Sequence, residues 1–280
     1  MRNPTPSRAR LFVARVRMPL VAVAVAGFVV AAVLDLPRWL ELVVVGTFVV
    51  ALAVYARFGT PAGPVADLAS PVRGRWRALN SPTSRVPSHW IHGWAQTYAL
   101  DLVFDPSDGS RPGVAWVPLA RRPGDFPGFG QPVRSPLAGE VVRARAGWRD
   151  HWSRTSPAGL VYLVAEGVRE LAGPSLILGN HLVVRGGDGT CVVLAHLRRR
   201  SLRVRRGDHV EAGQVVAECG NSGNSSEPHL HIQAMDHPSV WIASARPLRI
   251  NGAPPPANGT MLAQGAPLVS MERPAPFHAD

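Results

Sequence analysis

Two histidines one residue apart, His229 and His231, stand in the short apolar run EPHLHIQ (Glu227–Gln233), directly after the turn-rich CGNSGNSS. Side chains alternate between the faces of a strand, so residues i and i+2 point the same way. Both imidazoles would then project together, with Leu230 and Ile232 on the opposite face. Such a pair is either a metal or catalytic site or two histidines on a solvated face, because imidazole is both the commonest metal ligand and an ordinary surface group. Hydrolysis at a zinc ion would need three nitrogen or oxygen ligands, a fourth position open to water, a base nearby and a donor for the developing oxyanion. Few other residues could complete that set. HWIHGWAQTYALDLV offers His89, His92 and Asp101, and VVLAHL offers His196. Asp101 is the most telling, since it interrupts the apolar strand YALDLVF and carboxylates are rarely buried unless paired or bound to metal. His151, His209, His237 and His278 lie in turn-like or terminal polar contexts and read as solvated; His181, in LGNHLVV, reads as facing solvent at a strand start.

The elements that must position these groups are strands. From Pro71 onward, short apolar or alternating runs are broken by Gly, Pro, Asn and Asp: GRWRAL, YALDLVF, GEVVRARA, HLVVRGGDGTCVVLAHL and GQVVAEC. GGDG at 186–189 predicts a hairpin turn between strands near 181–185 and 190–196. No long helix-period segment follows residue 70. The preceding sequence is different. Residues 1–17 carry five Arg and no acid. Two uncharged apolar runs follow, Met18–Leu34 and Leu42–Ala56, near the length of a membrane-spanning helix, with Trp39, Tyr55 and Phe58 able to sit at an interface. The sequence therefore predicts an Arg-rich segment (1–17), a transmembrane helical hairpin (18–58), a linker (59–70), an all-β catalytic domain (71–250) and a tail rich in Pro, Ala and Gly (251–280). A signal peptide competes for the first apolar run, without a clear small-residue cleavage site after Leu34.

The 280 residues carry a net charge of +11, and every basic residue outside histidine is Arg. Attraction to polyanions such as anionic lipid, nucleic acid or acidic wall polymers is one reading of that charge, and coding bias is another. The densest cluster, RRRSLRVRR at 198–206, lacks interleaved aromatics, which leaves base stacking on single-stranded nucleic acid with little support, and no nucleic-acid partner is expected. Cys191 and Cys219 lie in apolar runs without metal-site spacing and read as buried thiols.

Taken together and in order, VVLAHL, VRRGDHVEAGQVVAECG and CGNSGNSSEPHLHIQ resemble the lysostaphin-type (LytM-like) zinc metallopeptidases, over roughly residues 71–250. The resemblance implies a duplicated hybrid motif fold, similar to lipoyl-domain barrels, and hydrolysis of peptidoglycan cross-link peptides with one Zn2+ per chain. Carried over residue by residue, it makes His231 and Asp101 zinc ligands and His196 and His229 catalytic histidines that do not bind the metal. The remaining ligand is a histidine upstream of Asp101. The usual spacing is four residues; here the gap is nine from His92 and twelve from His89. His92 is taken as the ligand because it has less chain to span, with His89 as the alternative.

Three functions follow: an active membrane-anchored endopeptidase, an inactive LytM-like module that binds or activates a cell-wall partner, and a lipoyl-like carrier. The carrier needs an attachment Lys, and the chain has none. The two apolar runs imply contact with the lipid bilayer through residues 18–58, and the resemblance implies a bacterial cell membrane with the peptidase domain on the outer side, where the wall is. The arginine distribution argues against that side, because two spans return the domain to the side of residues 1–17.

Overall fold

Alternation along the strand Leu230–Met235 organises the domain. Leu230 and Ile232 point into one apolar cluster with Leu100, Leu102, Leu182 and Leu194. The intervening His231 and Gln233 point to the other face, where Val193, Ala195 and Met235 form a second cluster. Each fully buried aliphatic side chain of this kind contributes about 1.5–3 kcal/mol, so the register of this strand is held from its apolar side.

The computed structural model describes residues 8–34, 36–57, 63–159, 161 and 173–263. Two helices, α1 (Arg8–Val33) and α2 (Arg38–Arg57), precede β1 (Ala66–Leu68), β2 (Trp76–Asn80), β3 (Leu100–Phe104), β4 (Pro132–Arg134), β5 (Gly139–Arg145), β6 (His181–Gly186), β7 (Cys191–Ala195), β8 (His209–Val210), β9 (Val215–Glu218), β10 (Leu230–Met235), β11 (Ala245–Arg246) and β12 (Leu248–Ile250). The principal sheet has eight strands in the order β2-β3-β10-β7-β6-β5-β8, with β11 also pairing β10; β1–β12 and β4–β9 form two small sheets. β6 and β7 are joined through Gly186–Gly189, where Gly189 takes the positive φ (+79°) that the tight turn requires. The mostly β architecture expected from Pro71 onward is observed. Cys191 and Cys219 are buried free thiols in different clusters, and burial pushes the Cys191 thiol up to about 11.

The N-terminal apolar runs form a helical hairpin. Small residues allow close approach: Ala24 packs with Val21 and Ala51, and Phe28 meets Phe48 at 5.4 Å between ring centres. Among the described residues no helix is long and apolar enough to cross a membrane, so the structure does not support the two spans expected. The hairpin's outward side is nonetheless apolar, with Val23, Phe28, Val33, Leu42 and Val49 exposed. The foot of α1 is fastened to the β domain. Arg15 grips Asp236 with two hydrogen bonds (2.9 and 3.0 Å) and also donates to the Ile242 carbonyl. Met18 is buried in the cluster that holds Trp94 and Met235. Residues 1–7, Phe58 at the end of the expected hairpin, residues 59–62 of the expected linker and residues 264–280 of the expected tail lie outside the described residues.

Candidate metal centre

Register brings the chemistry together. His231 on β10 lies directly opposite Asp101 on β3 and opposite Ala195 on β7. Asn80 at the end of β2 also pairs with Asp101, after an irregularity in the ladder at Ala78. His196 follows the last residue of β7 with φ +58°, a conformation uncommon for a residue with a side chain and concentrated at functional sites. The ends of four strands thus converge on one point.

Asp101 occupies the centre. One carboxylate oxygen accepts from Asn80 Nδ2 at 2.8 Å and faces His89 Nε2 at 2.9 Å. The other faces His231 Nδ1 at 2.9 Å, with His229 Nε2 at 3.7 Å. Burial opposes the charge on Asp101, but His89, His229 and the hydrogen bonds outweigh it and hold the carboxyl well below its ordinary range. For His231, burial disfavours the cation, while the hydrogen bond and charge of Asp101 outweigh it and raise the pKa. This point in the protein therefore favours positive charge.

The ring tautomers follow from the outer hydrogen bonds. Gln233 Nε2 donates to the Trp94 carbonyl (2.9 Å), which turns its Oε1 toward His231 Nε2, also at 2.9 Å. In the neutral ring His231 Nε2 then carries the proton, leaving the Nδ1 lone pair aimed at Asp101. Ser88 Oγ donates to the Gln96 carbonyl and accepts from His89 Nδ1, so the His89 Nε2 lone pair also faces the carboxylate. When neutral, both rings aim lone pairs at the carboxylate, an arrangement that a proton on His231 or a shared metal cation stabilises. The ligand atoms of His89, Asp101 and His231 all lie within 4.8 Å of one another. Two imidazoles, one carboxylate and outer partners fixing each ring are the donor set that zinc takes.

His196 and His229 complete the cavity, which measures about 180 Å³ and also includes Asn80, Ile177 and Asn224 in its wall. Their rings lie 4.5 Å apart. His196 Nδ1 donates to the Ser222 carbonyl (2.8 Å) and His229 Nδ1 to the Glu227 carbonyl (2.8 Å), so each keeps Nε2 unprotonated as a base when neutral. Burial first, then the neighbouring His229 and His231, hold His196 well below the ordinary imidazole value. Ser222 is set by close backbone packing of Gly223 (φ +80°) against Gly179, where a Cβ on Gly223 would overlap the Gly179 nitrogen and the Ile177 carbonyl. Glu227 is buried and held by a bidentate ion pair with Arg111 (2.7 and 3.1 Å), which anchors the start of the HxH strand.

The sequence expectation differs from the geometry at two histidines. The upstream histidine beside Asp101 is His89, not His92. The loop between them doubles back, with Trp90, Trp94 and Ala95 all at positive φ. Its ends are tied by Ser88 N–H donating to the Thr97 carbonyl (3.1 Å), which carries His89 to β3. His92 stays on the loop, its Nδ1 3.1 Å from Thr97 Oγ1. His181 is also unlike the expectation: it is buried, with Nδ1 donating to the Gly179 carbonyl. Sequence reasoning missed Asn80, Ser88 and Gln233. For Gln233 a signal existed, since residues 229, 231 and 233 share one strand face.

The sequence model for Peptidase family M23 matches residues 125–240 of this chain. That range holds His196, His229 and His231; His89 and Asp101 lie upstream of it. Lysostaphin of Staphylococcus simulans is 24% identical over 160 residues, 56% of this chain and 25% of the relative. The chain therefore spans about a quarter of the length of that curated relative. Among solved structures, the catalytic domain of lysostaphin from Staphylococcus simulans is similar at 20% identity, with 60% of this chain and 84% of that one covered and a TM-score of 0.32. A zinc-containing peptidase from Vibrio cholerae is similar at 17% identity, with 64% and 36% covered and a TM-score of 0.30.

Proposed function

We propose that this chain, which carries a lysostaphin-type peptidase domain, is a zinc metalloendopeptidase that hydrolyses amide bonds in peptidoglycan cross-link peptides. The observation that carries the reading is the convergence of His89 Nε2 and His231 Nδ1 on the two oxygens of the buried Asp101 carboxylate. A bound zinc ion supplies Lewis-acid polarisation and a lowered pKa for water at neutral pH. His89, Asp101 and His231 would hold it, and Asn80 and Gln233 keep the carboxylate and one ring aligned.

The chain's own groups supply the proton chemistry. His196 and His229 each present Nε2 to the cavity from a ring fixed by a carbonyl at Nδ1. One takes a proton from the attacking water, and the other, once protonated, donates to the oxyanion or the leaving amine. The depressed pKa of His196 keeps its ring neutral, with Nε2 free to accept a proton. Full-length protein incubated with purified peptidoglycan tests this reading by labelling of newly formed amino termini. Release of amines by the wild type and none by His229→Ala is expected. No release from any cross-link type would favour the inactive binding module.

Membrane attachment through residues 18–58 belongs to this proposal. It is supported by the exposed Val, Leu and Phe side chains of the hairpin, since an apolar surface of this kind marks an interaction site. The proposed location is a bacterial cell membrane, with the domain on the outer side where the wall is. The N-terminal arginines argue for the inner side. Reporter fusions at the C-terminus decide between them, and activity of a reporter confined to the cytoplasm would overturn the outer location.

A further inference from the structure

The arginine-dense segment singled out in the sequence has no role in the peptidase site. One of its residues, Arg206, meets Arg143 and Arg145 of β5 and Arg185 of β6 around a cavity of about 570 Å³, closed on one side by His237 and Ser239. Arg185 is committed to Glu140 at 2.7 Å. Among the described residues, no carboxylate forms an ion pair with Arg143, Arg145 or Arg206. Glu140, the carboxylate in the cavity wall, is taken by Arg185, so three guanidinium groups share the concavity without a direct ion pair among the described residues. Guanidinium forks match the oxygens of phosphate in geometry as well as charge.

The cavity's place in the fold narrows the occupant. Arg143 pairs opposite Val183 on β6, and Arg145 opposite His181. Val183 belongs to the apolar cluster that receives Met18 of α1 and Trp94. His237 directly follows Asp236, the residue gripped by Arg15 of α1. The cavity therefore adjoins the foot of the helical hairpin, whose outward side is apolar. No Trp, Tyr or Phe lines it, so stacked bases have no broad platform.

We propose that this cavity binds the phosphate of an anionic phospholipid headgroup and so fixes the orientation of the β domain against the bilayer. The headgroup as the source of the phosphate rests on the membrane attachment proposed above; recognition of the phosphate does not. Arg143 and Arg145 supply the charge from β5, Arg206 closes the turn side, and Ser239 offers a hydroxyl donor.

Calorimetric titration of the full chain in uncharged detergent tests the proposal. The probes are inorganic phosphate, short-chain phosphatidylglycerol and short-chain phosphatidylcholine. Phosphatidylglycerol should bind about tenfold more tightly than phosphate, and phosphatidylcholine should not bind. In Arg143→Gln/Arg145→Gln, phosphatidylglycerol should bind roughly 10- to 30-fold more weakly. Arg206→Gln, in an exposed turn, should weaken it in the same direction while leaving amine release from peptidoglycan unchanged. Undiminished binding in these variants, or no binding by the wild type, overturns the site. Phosphatidylglycerol binding no tighter than phosphate overturns the headgroup as its occupant. The binding outcomes do not depend on hydrolysis, so failure of this proposal is separate from failure of the peptidase reading.

Discussion

Gln233 Oε1 lies 2.9 Å from His231 Nε2, while Gln233 Nε2 donates to the backbone carbonyl of Trp94. Through this one amide, the loop between β2 and β3 determines which nitrogen of His231 is free to face Asp101. Gln233→Leu removes the acceptor and leaves the Trp94 carbonyl unpaired in a buried place. A loss of roughly 10- to 100-fold in zinc affinity is expected, read by competition with a chromogenic chelator. Unchanged affinity would show that the tautomer is set in some other way.

His196 and His229 should separate cleanly from the ligands. His196→Ala and His229→Ala are each expected to retain bound zinc and lose roughly 10²- to 10⁴-fold in kcat. The comparison of metal content with turnover checks this. Loss of zinc from either variant would move that histidine from the catalytic group to the ligand set.

Gly223 tests the support beneath His196. Gly223→Ala must move the Gly179 backbone against which it packs, at a residue that already has positive φ. Displacing Ser222 removes the carbonyl that fixes the His196 ring, so kcat should fall more than tenfold. Retained zinc content separates this effect from loss of the fold.

Acid stability should carry the signature of His181. Burial, then the charges of Arg143 and Arg145, press its pKa from 6.5 to about 4, against the bond to the Gly179 carbonyl. The unfolded chain binds this proton more readily than the folded one. The contribution is therefore complete above about pH 6.5 and is lost as the pH falls toward 4, amounting to about 3 kcal/mol. His181→Asn keeps a donor for Gly179 and does not titrate. Its denaturant midpoint should fall less steeply between pH 6.5 and 4 than that of the wild type, and equal slopes would contradict the assignment.

Much of the site was legible because strand alternation and burial act locally. Asp101 stood out as an acid in an apolar run, and His229 and His231 as a same-face pair; the structure brings all three to one centre with His196. His89 was not legible as the partner of Asp101, because distance along the chain is a poor guide where a loop folds back. Three residues at positive φ and the Ser88–Thr97 hydrogen bond bring the more distant histidine nearer. The burial of His181 was hidden for a related reason. Its neighbours show a strand start, but β6 lies inside the sheet between β5 and β7 and the His181 ring bonds back to the Gly179 carbonyl. The hairpin illustrates a different limit: the apolar runs indicated two helices, and the foot of α1 packing on the β domain through Arg15 and Met18 depends on Asp236 and Trp94, far away in sequence.

The most direct measurement is zinc content per chain in the full-length protein and in three variants, by atomic emission after dialysis. One zinc per chain is expected for the wild type and for His92→Ala, and little or none for His89→Ala and Asp101→Asn. A wild type without zinc, or a His92→Ala that loses it while His89→Ala keeps it, would contradict the metal centre described for His89, Asp101 and His231.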